Sequence, residues 1–148
     1  MILSKKSRYG LRALIDLSVN SHTEHMALNY LAERNGISPQ YLEQVFAALR
    51  RAGIVRSIKG PQGGYLLARP ADSITVAQII LALDGVYHVE AETQTPDCEI
   101  HGITGTVQKL VVDRINQSLD QVLESVTLQD LEDDFVRNTV YEQGMYYI

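Results

Sequence analysis

The chain has 148 residues, of which 45% are hydrophobic and 21% charged, and this composition excludes a wholly disordered protein. Its length suits one compact domain with an appended helical element. The net charge of −5 conceals an uneven distribution, because residues 1–70 contain ten Lys and Arg against four Asp and Glu, whereas residues 71–148 contain three against fourteen. The N-terminal half is therefore predicted to attract a polyanion, and the C-terminal half to face away from it.

The sequence carries no signal for a membrane or an oxidising compartment. No segment reaches the roughly 20 consecutive apolar residues of a membrane span, and Arg12 and Asp16 interrupt the apolar positions that follow the basic start. One cysteine cannot form an internal disulfide, which fits a reducing compartment. We expect a cytoplasmic protein without a membrane partner.

The first two predicted helices lie over residues 7–20 and 29–34. The first has apolar residues at helical spacing, and its Arg8 and Arg12 lie one turn apart, where they can either clamp a phosphate or remain solvated. Asn29 is predicted to cap the second helix, and Gly36 to close it. A short turn then leads to a third helix.

The third helix has the clearest end signals in the chain. Ser38 can cap its first turn, Pro39 suits position N1, and Gly53 suits the left-handed position after its end. Leucine, valine and phenylalanine side chains are spaced to bury one face, and the opposite face consists of Gln40, Gln44, Ala47 and Arg51. A slim polar face of this kind suits a DNA major groove, although a solvated surface helix shows the same pattern.

A glycine-rich hairpin follows this helix. Residues 54–58 and 65–67 read as strands, and residues 59–64 read as the turn that connects them. Glycines permit a close approach to a phosphate surface, and Arg56, Lys59 and Arg69 add positive charge. Helix, turn, helix and hairpin in this order predict a winged helix-turn-helix domain, with the hairpin as the wing.

The C-terminal half is predicted to contain a scaffold helix from Ser73 or Thr75 to Gly85, a loop over residues 86–105, and a long helix over residues 107–125. The long helix carries an apolar stripe that one protomer cannot easily bury, so we expect it to dimerise, with intramolecular packing as the alternative. The candidate dimerisation residues are Leu110, Ile115, Leu119, Val122 and Leu123. Thr127 is predicted to cap a last, short helix, with Asp130 and Glu132 favourably near its N-terminus.

Four segments together resemble the Rrf2 family of bacterial transcription regulators. They read SKKSRYGLRALIDLS, YLEQ, LRRAGIVRSIKGPQGGYLLARP and ITVAQIILALDG, and they cover residues 1–85 densely. The resemblance implies a homodimeric winged-helix repressor or activator, with the third helix in adjacent major grooves and the wings in flanking minor grooves. The implied and predicted DNA-binding residues are Arg8, Ser38, Gln40, Tyr41, Glu43, Gln44, Arg51, Lys59, Gly60, Gly63, Gly64 and Tyr65.

The fold class that follows is mainly α with a small β-hairpin wing. The expected organisation is a winged helix-turn-helix DNA-binding domain over residues 1–85, a sensor-type loop over 86–106, and a dimerisation helix with the C-terminal segment over 107–148. The expected function is sequence-specific regulation of transcription, as a repressor, by a homodimer on a palindromic operator in double-stranded DNA.

The single cysteine bears on the signal to which such a regulator responds. Cluster-binding members of the family use three cysteines, whereas this chain has only Cys98, so we expect no iron–sulfur cluster and no other cofactor. In character the chain is most similar to the cluster-free cysteine metabolism repressors, which implies an enzyme partner, cysteine synthase. Cys98 beside His101 is alternatively a redox sensor, although acidic neighbours oppose thiolate formation, or an inert thiol.

Enzymatic function has little support in the sequence. The chain lacks the nucleophile elbow, the zinc-protease motif and the phosphate-binding loop, so we expect no catalytic residues. His22, Glu24 and His25 are spaced for a surface metal, but we expect solvated histidines and no metal site. The alternative function is a protein-interaction module that binds a metabolic enzyme through the acidic half, with DNA binding secondary.

Overall fold

A computed structural model describes residues 2–93 and 102–146 of the chain. The helices of these residues are α1 Lys5–Asn20, α2 Leu28–Asn35, α3 Pro39–Arg51, α4 Val76–Asp84, α5 Ile103–Val107, α6 Asp113–Ser125 and α7 Leu128–Tyr146. The strands are β1 Val55–Ile58 and β2 Gly64–Leu67, and a 3-10 turn at Ala71–Ser73 precedes α4. Within the same residues, no helix combines the length and apolar character needed to cross a membrane.

The ends of α3 confirm the predicted capping. The Ser38 side chain accepts a hydrogen bond from the Tyr41 amide, and Pro39 occupies the first turn. At the other end Gly53 has φ +74°, its amide donates to the Arg50 carbonyl, and the next amide donates to the Leu49 carbonyl. This pair of bonds is a Schellman motif, which satisfies carbonyls that the helix end leaves free.

The starts of α1 and α2 differ from the prediction. Helix α1 begins at Lys5 rather than Ser7, because the Ser4 side chain caps it by accepting from the Ser7 amide. Helix α2 begins at Leu28, so Asn29 lies inside it and is not the cap. The backbone of the preceding residues is held instead by antiparallel pairing between Met26 and Tyr65, a contact that local sequence does not reveal.

The main core joins α1, α3, α4 and the start of α7. Its largest fully buried side chains include Leu14, Leu17, Leu42, Phe46 and Leu49. Leu128 is also fully buried there, so the C-terminal segment contributes to the core of the winged domain. A second buried cluster fills the space between α4 and α6, and its members are Val76, Ala77, Ile80, Tyr87 and Leu123.

Strands β1 and β2 form the predicted antiparallel hairpin, in which Val55 pairs with Leu67 and Ile58 with Gly64. A Cβ on Gly63 would lie 2.1 Å from the Ile58 carbonyl oxygen, and one on Gly64 would lie 2.3 Å from the Met26 carbonyl oxygen. These two glycines are therefore required by close packing within the protein itself.

The long helix starts earlier than predicted, at Ile103 rather than Val107. Helices α5 and α6 are joined without a break by a π-helical segment, Gln108–Val112. Helix α7 is longer than the predicted short helix. Thr127 caps its start, as predicted. The Asp130 amide donates to the Thr127 hydroxyl at 3.1 Å, and the Thr127 amide donates to the Asp130 carboxylate at 2.9 Å.

Candidate nucleic-acid interface

Helix α3 presents a polar face to solvent because its opposite face is fully committed to the core. Gln40, Glu43 and Gln44 are exposed, whereas the leucine, valine and phenylalanine side chains behind them are fully buried. Glutamine can form two hydrogen bonds to adenine, and a carboxylate can accept one from cytosine. The helix therefore presents side chains able to read base edges on a rigid support.

The start of α3 borders a small cavity of about 270 Å³, which Lys5, Tyr9, Ser38 and Tyr41 help to line. The rings of Tyr9 and Tyr41 pack edge to face with their centroids 5.8 Å apart. Tyr41 is half-buried as a result, and the Ser38 oxygen already caps the helix. Lys5, which sequence reasoning missed, brings a positive charge to this helix N-terminus, where the backbone amides also favour an anion.

Four exposed cations lie on α3 and the hairpin: Arg50, Arg51, Arg56 and Lys59. Within the described part of the chain, none of these four side chains forms a hydrogen bond or an ion pair. Other cations of the N-terminal half are engaged internally. Arg8 donates to the Leu3 carbonyl at 2.8 Å, Arg12 to the Asn35 carbonyl at 2.5 Å, and Arg69 to the Ser73 carbonyl at 2.6 Å.

The predicted wing residues divide into two groups. Lys59 and Gly60 lie at the exposed tip, where Gly60 has φ +114° and a side chain would be strained. Gly63, Gly64 and Tyr65 instead contact the protein, since the Tyr65 ring packs against Phe46 with centroids 5.0 Å apart. Arg56, Lys59 and Gly60 are all exposed residues of the hairpin, and Tyr65 anchors its base.

The predicted dimerisation residues also divide. Leu110, Ile115 and Val122 are 53, 44 and 59% exposed, and they line an apolar groove of about 680 Å³ beside Ile2 and Leu3. Leu119 is half-buried against the second cluster. Leu123 is buried against α4 and also borders this groove, because the apolar stripe is wide enough to cover both the protomer's own core and an open surface.

Residues 87–89, which precede Cys98 in the sequence, are hydrogen-bonded to α6. The Asn116 side chain donates to the Val89 carbonyl and accepts from the Val89 amide, at 3.0 and 2.8 Å. Asp120 accepts from the Tyr87 hydroxyl at 2.8 Å and pairs with His88 at 2.6 Å. Burial, together with the Asp120 carboxylate, raises the pKa of Tyr87 to about 12, and the bond from His88 lowers the pKa of Asp120.

The side chains considered as metal ligands lie in two parts of the sequence, around Cys98 and around His22. Cys98 and His101 lie outside the described residues, which contain no group of three or more histidine, cysteine, aspartate or glutamate side chains arranged for a metal. His22 pairs with Glu132 at 2.8 Å, and His25 bonds to the Gln62 carbonyl at 2.6 Å. A cluster needs several thiolates, and this chain has one cysteine.

Comparison with known proteins identifies the family. Residues 3–134 match the model of the Rrf2 family, described as iron-dependent transcriptional regulators. The chain is 40% identical over 131 residues to NMA1593 of Neisseria meningitidis, which is named as an HTH-type transcriptional regulator. The match covers 88% of this chain and 87% of that one. It is 48% identical over 84 residues to the regulator IscR of Klebsiella pneumoniae, over 57% of this chain and 52% of IscR.

Solved structures agree with this assignment. CymR, the global cysteine regulator of B. subtilis, superposes with a TM-score of 0.73 at 34% identity, over 90% of this chain and 97% of CymR. IscR of T. potens superposes with a TM-score of 0.69 at 36% identity, over 90% of this chain and 88% of that structure. The family and these relatives are regulators rather than enzymes. With its winged helix-turn-helix fold and its exposed polar helix, the chain belongs to the Rrf2 family of DNA-binding transcriptional regulators.

Proposed function

We propose that the protein represses transcription as a homodimer that binds a palindromic operator. The observation that carries this proposal is the exposed face of α3, where Gln40, Glu43 and Gln44 project from a helix whose other face is fully buried. A rigid helix of this kind enters a major groove and reads base edges with three or four side chains. Two copies related by a two-fold axis would read the two halves of the operator.

The cations beside α3 supply the sequence-independent part of binding. Arg50, Arg51, Arg56 and Lys59 are exposed, and within the described residues no internal partner holds them. Each cation that neutralises a phosphate releases counterions, so affinity falls as salt rises. In this proposal Arg50 and Arg51 approach the backbone beside α3, and Arg56 and Lys59 approach it from the wing.

The apolar groove beside the long helix supports the homodimer. Leu110, Ile115 and Val122 expose about half of their surfaces along one side of this helix. Pairing with the same surface of a second copy would remove it from water, and the proposal requires that this pairing present both copies of α3 to the DNA. The acidic C-terminal half then lies away from the DNA, in agreement with the charge distribution.

We further propose that the protein works without an iron–sulfur cluster, because one cysteine is too few to hold it. Cys98 is the candidate for a redox signal. Staphylococcus aureus CymR, which is 35% identical to this chain, has been crystallised in an oxidised form. Comparing Cys98→Ser with wild type after peroxide treatment tests this part, and equal sensitivity of DNA binding would exclude a role for Cys98.

The decisive experiment is fluorescence anisotropy with labelled DNA from upstream of the protein's own gene, repeated at several salt concentrations. We expect binding to this DNA to be tighter than to a scrambled duplex of equal length, with affinity falling steeply as salt rises. Equal, weak affinity for both duplexes would contradict the proposal.

The second candidate is the protein-interaction module that binds a metabolic enzyme. The likeness to CymR, a cysteine regulator, favours an enzyme of cysteine metabolism such as cysteine synthase as the partner. Residues 71–148, with three Lys and Arg against fourteen Asp and Glu, have a net charge of −11 and would offer this enzyme an acidic surface. Light scattering of the protein mixed with purified cysteine synthase tests this candidate. A stable complex together with weak, non-specific DNA binding would favour it over the repressor.

A further inference from the structure

The tip of the wing has few contacts of its own. Residues 59–62 are exposed, and the turn is closed by a hydrogen bond from the Gly63 amide to the Gly60 carbonyl at 3.0 Å. The base of the hairpin is held more firmly. There, Tyr65 packs on Phe46 and exchanges two backbone hydrogen bonds with Met26.

The α1–α2 connection also reaches the tip through one histidine. His25 Nε2 lies 2.6 Å from the carbonyl oxygen of Gln62, across 37 positions of sequence. A carbonyl oxygen can only accept, so Nε2 carries the hydrogen and donates it. The His25 side chain is half-buried, whereas Gln62 and the bond itself are exposed to water.

The contact extends the pairing at the base of the wing. The connection meets β2 in a single antiparallel β-bridge between Met26 and Tyr65, so closely that Gly64 has no room for a Cβ. His25 directly precedes Met26 in the sequence, and its bond to Gln62 adds a second contact between the connection and the hairpin, nearer the tip. Because Lys59 shares the tip turn with Gln62, the position of the Lys59 ammonium depends on where this turn is held.

We propose that His25 is a positioning residue for DNA binding, which fixes the tip turn so that Lys59 meets the phosphate backbone. The proposal rests on the proposed function, because it assumes that the wing contacts DNA. His25 itself touches no DNA and acts through the Gln62 carbonyl. Its neighbour His22 lies on the same connection but contacts Glu132 instead, and so provides a matched control.

The test is a double-mutant cycle read by anisotropy with labelled DNA from upstream of the protein's own gene, over a series of salt concentrations. Lys59→Ala should weaken binding and reduce the salt slope of the dimer by about 1.8, because one phosphate contact worth about 0.9 is lost in each protomer. His25→Phe keeps a ring but cannot donate, and should weaken binding by roughly three- to tenfold but by no more than Lys59→Ala does, because it acts on DNA only through the position of Lys59. The double variant should bind no more weakly than Lys59→Ala, because a mispositioned wing has no contact left to lose.

Two further variants separate positioning from a general structural role. His25→Gln retains a donor of similar reach, so it should keep the bond to the Gln62 carbonyl and bind within about twofold of wild type. His22→Ala should leave the salt slope unchanged even if it lowers the melting temperature. Melting temperatures of all variants identify any that fail to fold.

The other possible results would each overturn the positioning role of His25. Additive losses in the double variant, or wild-type binding by His25→Phe when Lys59→Ala is impaired, would overturn the role of His25 and leave the proposed function intact. Wild-type affinity and salt slope for Lys59→Ala would show that Lys59 does not contact DNA. That result would remove Lys59 from the proposed function and overturn the positioning role of His25 with it.

Discussion

Ser18 in α1 donates a hydrogen bond of 2.6 Å to Glu132 in α7, although 114 positions separate them in the sequence, and both side chains are buried. The second carboxylate oxygen of Glu132 pairs with His22 at 2.8 Å. A buried carboxylate must be satisfied by such partners. The bond therefore fastens the C-terminal helix to the first helix of the winged domain.

Glu132→Ala is expected to destabilise the protein by about 1–3 kcal/mol, because it leaves the buried Ser18 hydroxyl without its partner. Urea unfolding followed by circular dichroism measures the change. Asp134→Ala, on the exposed side of the same helix, is the matched control and should change stability by no more than about 0.5 kcal/mol. Equal effects of the two variants would contradict a special role for Glu132.

Gln44→Ala and Lys59→Ala should affect DNA binding in different ways. Gln44 lies on the exposed face of α3, so its loss should reduce discrimination between operator and altered bases by about 1–3 kcal/mol at a nearly unchanged salt slope. Lys59→Ala should weaken binding to all sequences alike and lower the slope. Anisotropy with operator and scrambled duplexes separates the two effects, and the reverse pattern would mean that helix and wing have been assigned the wrong roles.

Asp84 is expected to contribute stability that is lost in acid. Burial by itself raises its pKa, but the hydrogen bonds that the carboxylate accepts from the Ser4 hydroxyl and the Ser4 amide help to outweigh burial and hold the pKa below the usual 3.8. Since the folded pKa is depressed, the contribution is present above the unfolded value and disappears as pH falls through the folded value. Asp84→Asn should therefore be less stable than wild type at pH 7, and the difference should shrink on acidification. A difference in urea midpoint that grows toward low pH would contradict this sign.

The sequence predicted most accurately the features that depend on neighbouring residues. The Ser38 cap and the Gly53 helix end each involve hydrogen bonds that span only a few positions, and each is present, as is a helix start at Thr75, one of the two predicted positions. Asn29 was misassigned because the competing contact, between Met26 and Tyr65, joins distant segments.

Two features around the candidate site could not be read from the sequence, and they share a physical cause. His25 bonds to a backbone carbonyl, which any residue carries, so no pattern of side chains could reveal its partner. Leu123 belongs to the same apolar stripe as Ile115, and only the position of α4 decides that one faces inward and the other outward. Helical periodicity shows that a face is apolar, but it does not show which neighbour covers it.

Gly64→Ala and Gly105→Ala should have opposite effects on stability. A Cβ at Gly64 would lie 2.3 Å from the Met26 carbonyl oxygen, so the backbone must shift, at a cost of about 1–3 kcal/mol and with weaker DNA binding. Gly105 lies within α5 with nothing within 4 Å of a Cβ, so alanine should stabilise the protein by about 0.5–1 kcal/mol. Thermal unfolding measures both, and a stabilised Gly64→Ala would show that β2 is not packed against the connection as described.

Ile115→Glu should convert the proposed dimer to a monomer, because it places a charge in the centre of the apolar groove, where a second copy would have to desolvate it. Gln117→Glu adds a charge to an exposed position of the same helix outside the groove, and should remain dimeric. Size exclusion with light scattering measures the oligomeric state. Because operator affinity depends on two half-sites held together, Ile115→Glu should also lose most of its preference for operator over scrambled DNA while its α3 and wing stay intact. A dimeric Ile115→Glu with unchanged operator binding would place the dimer interface elsewhere on the protein.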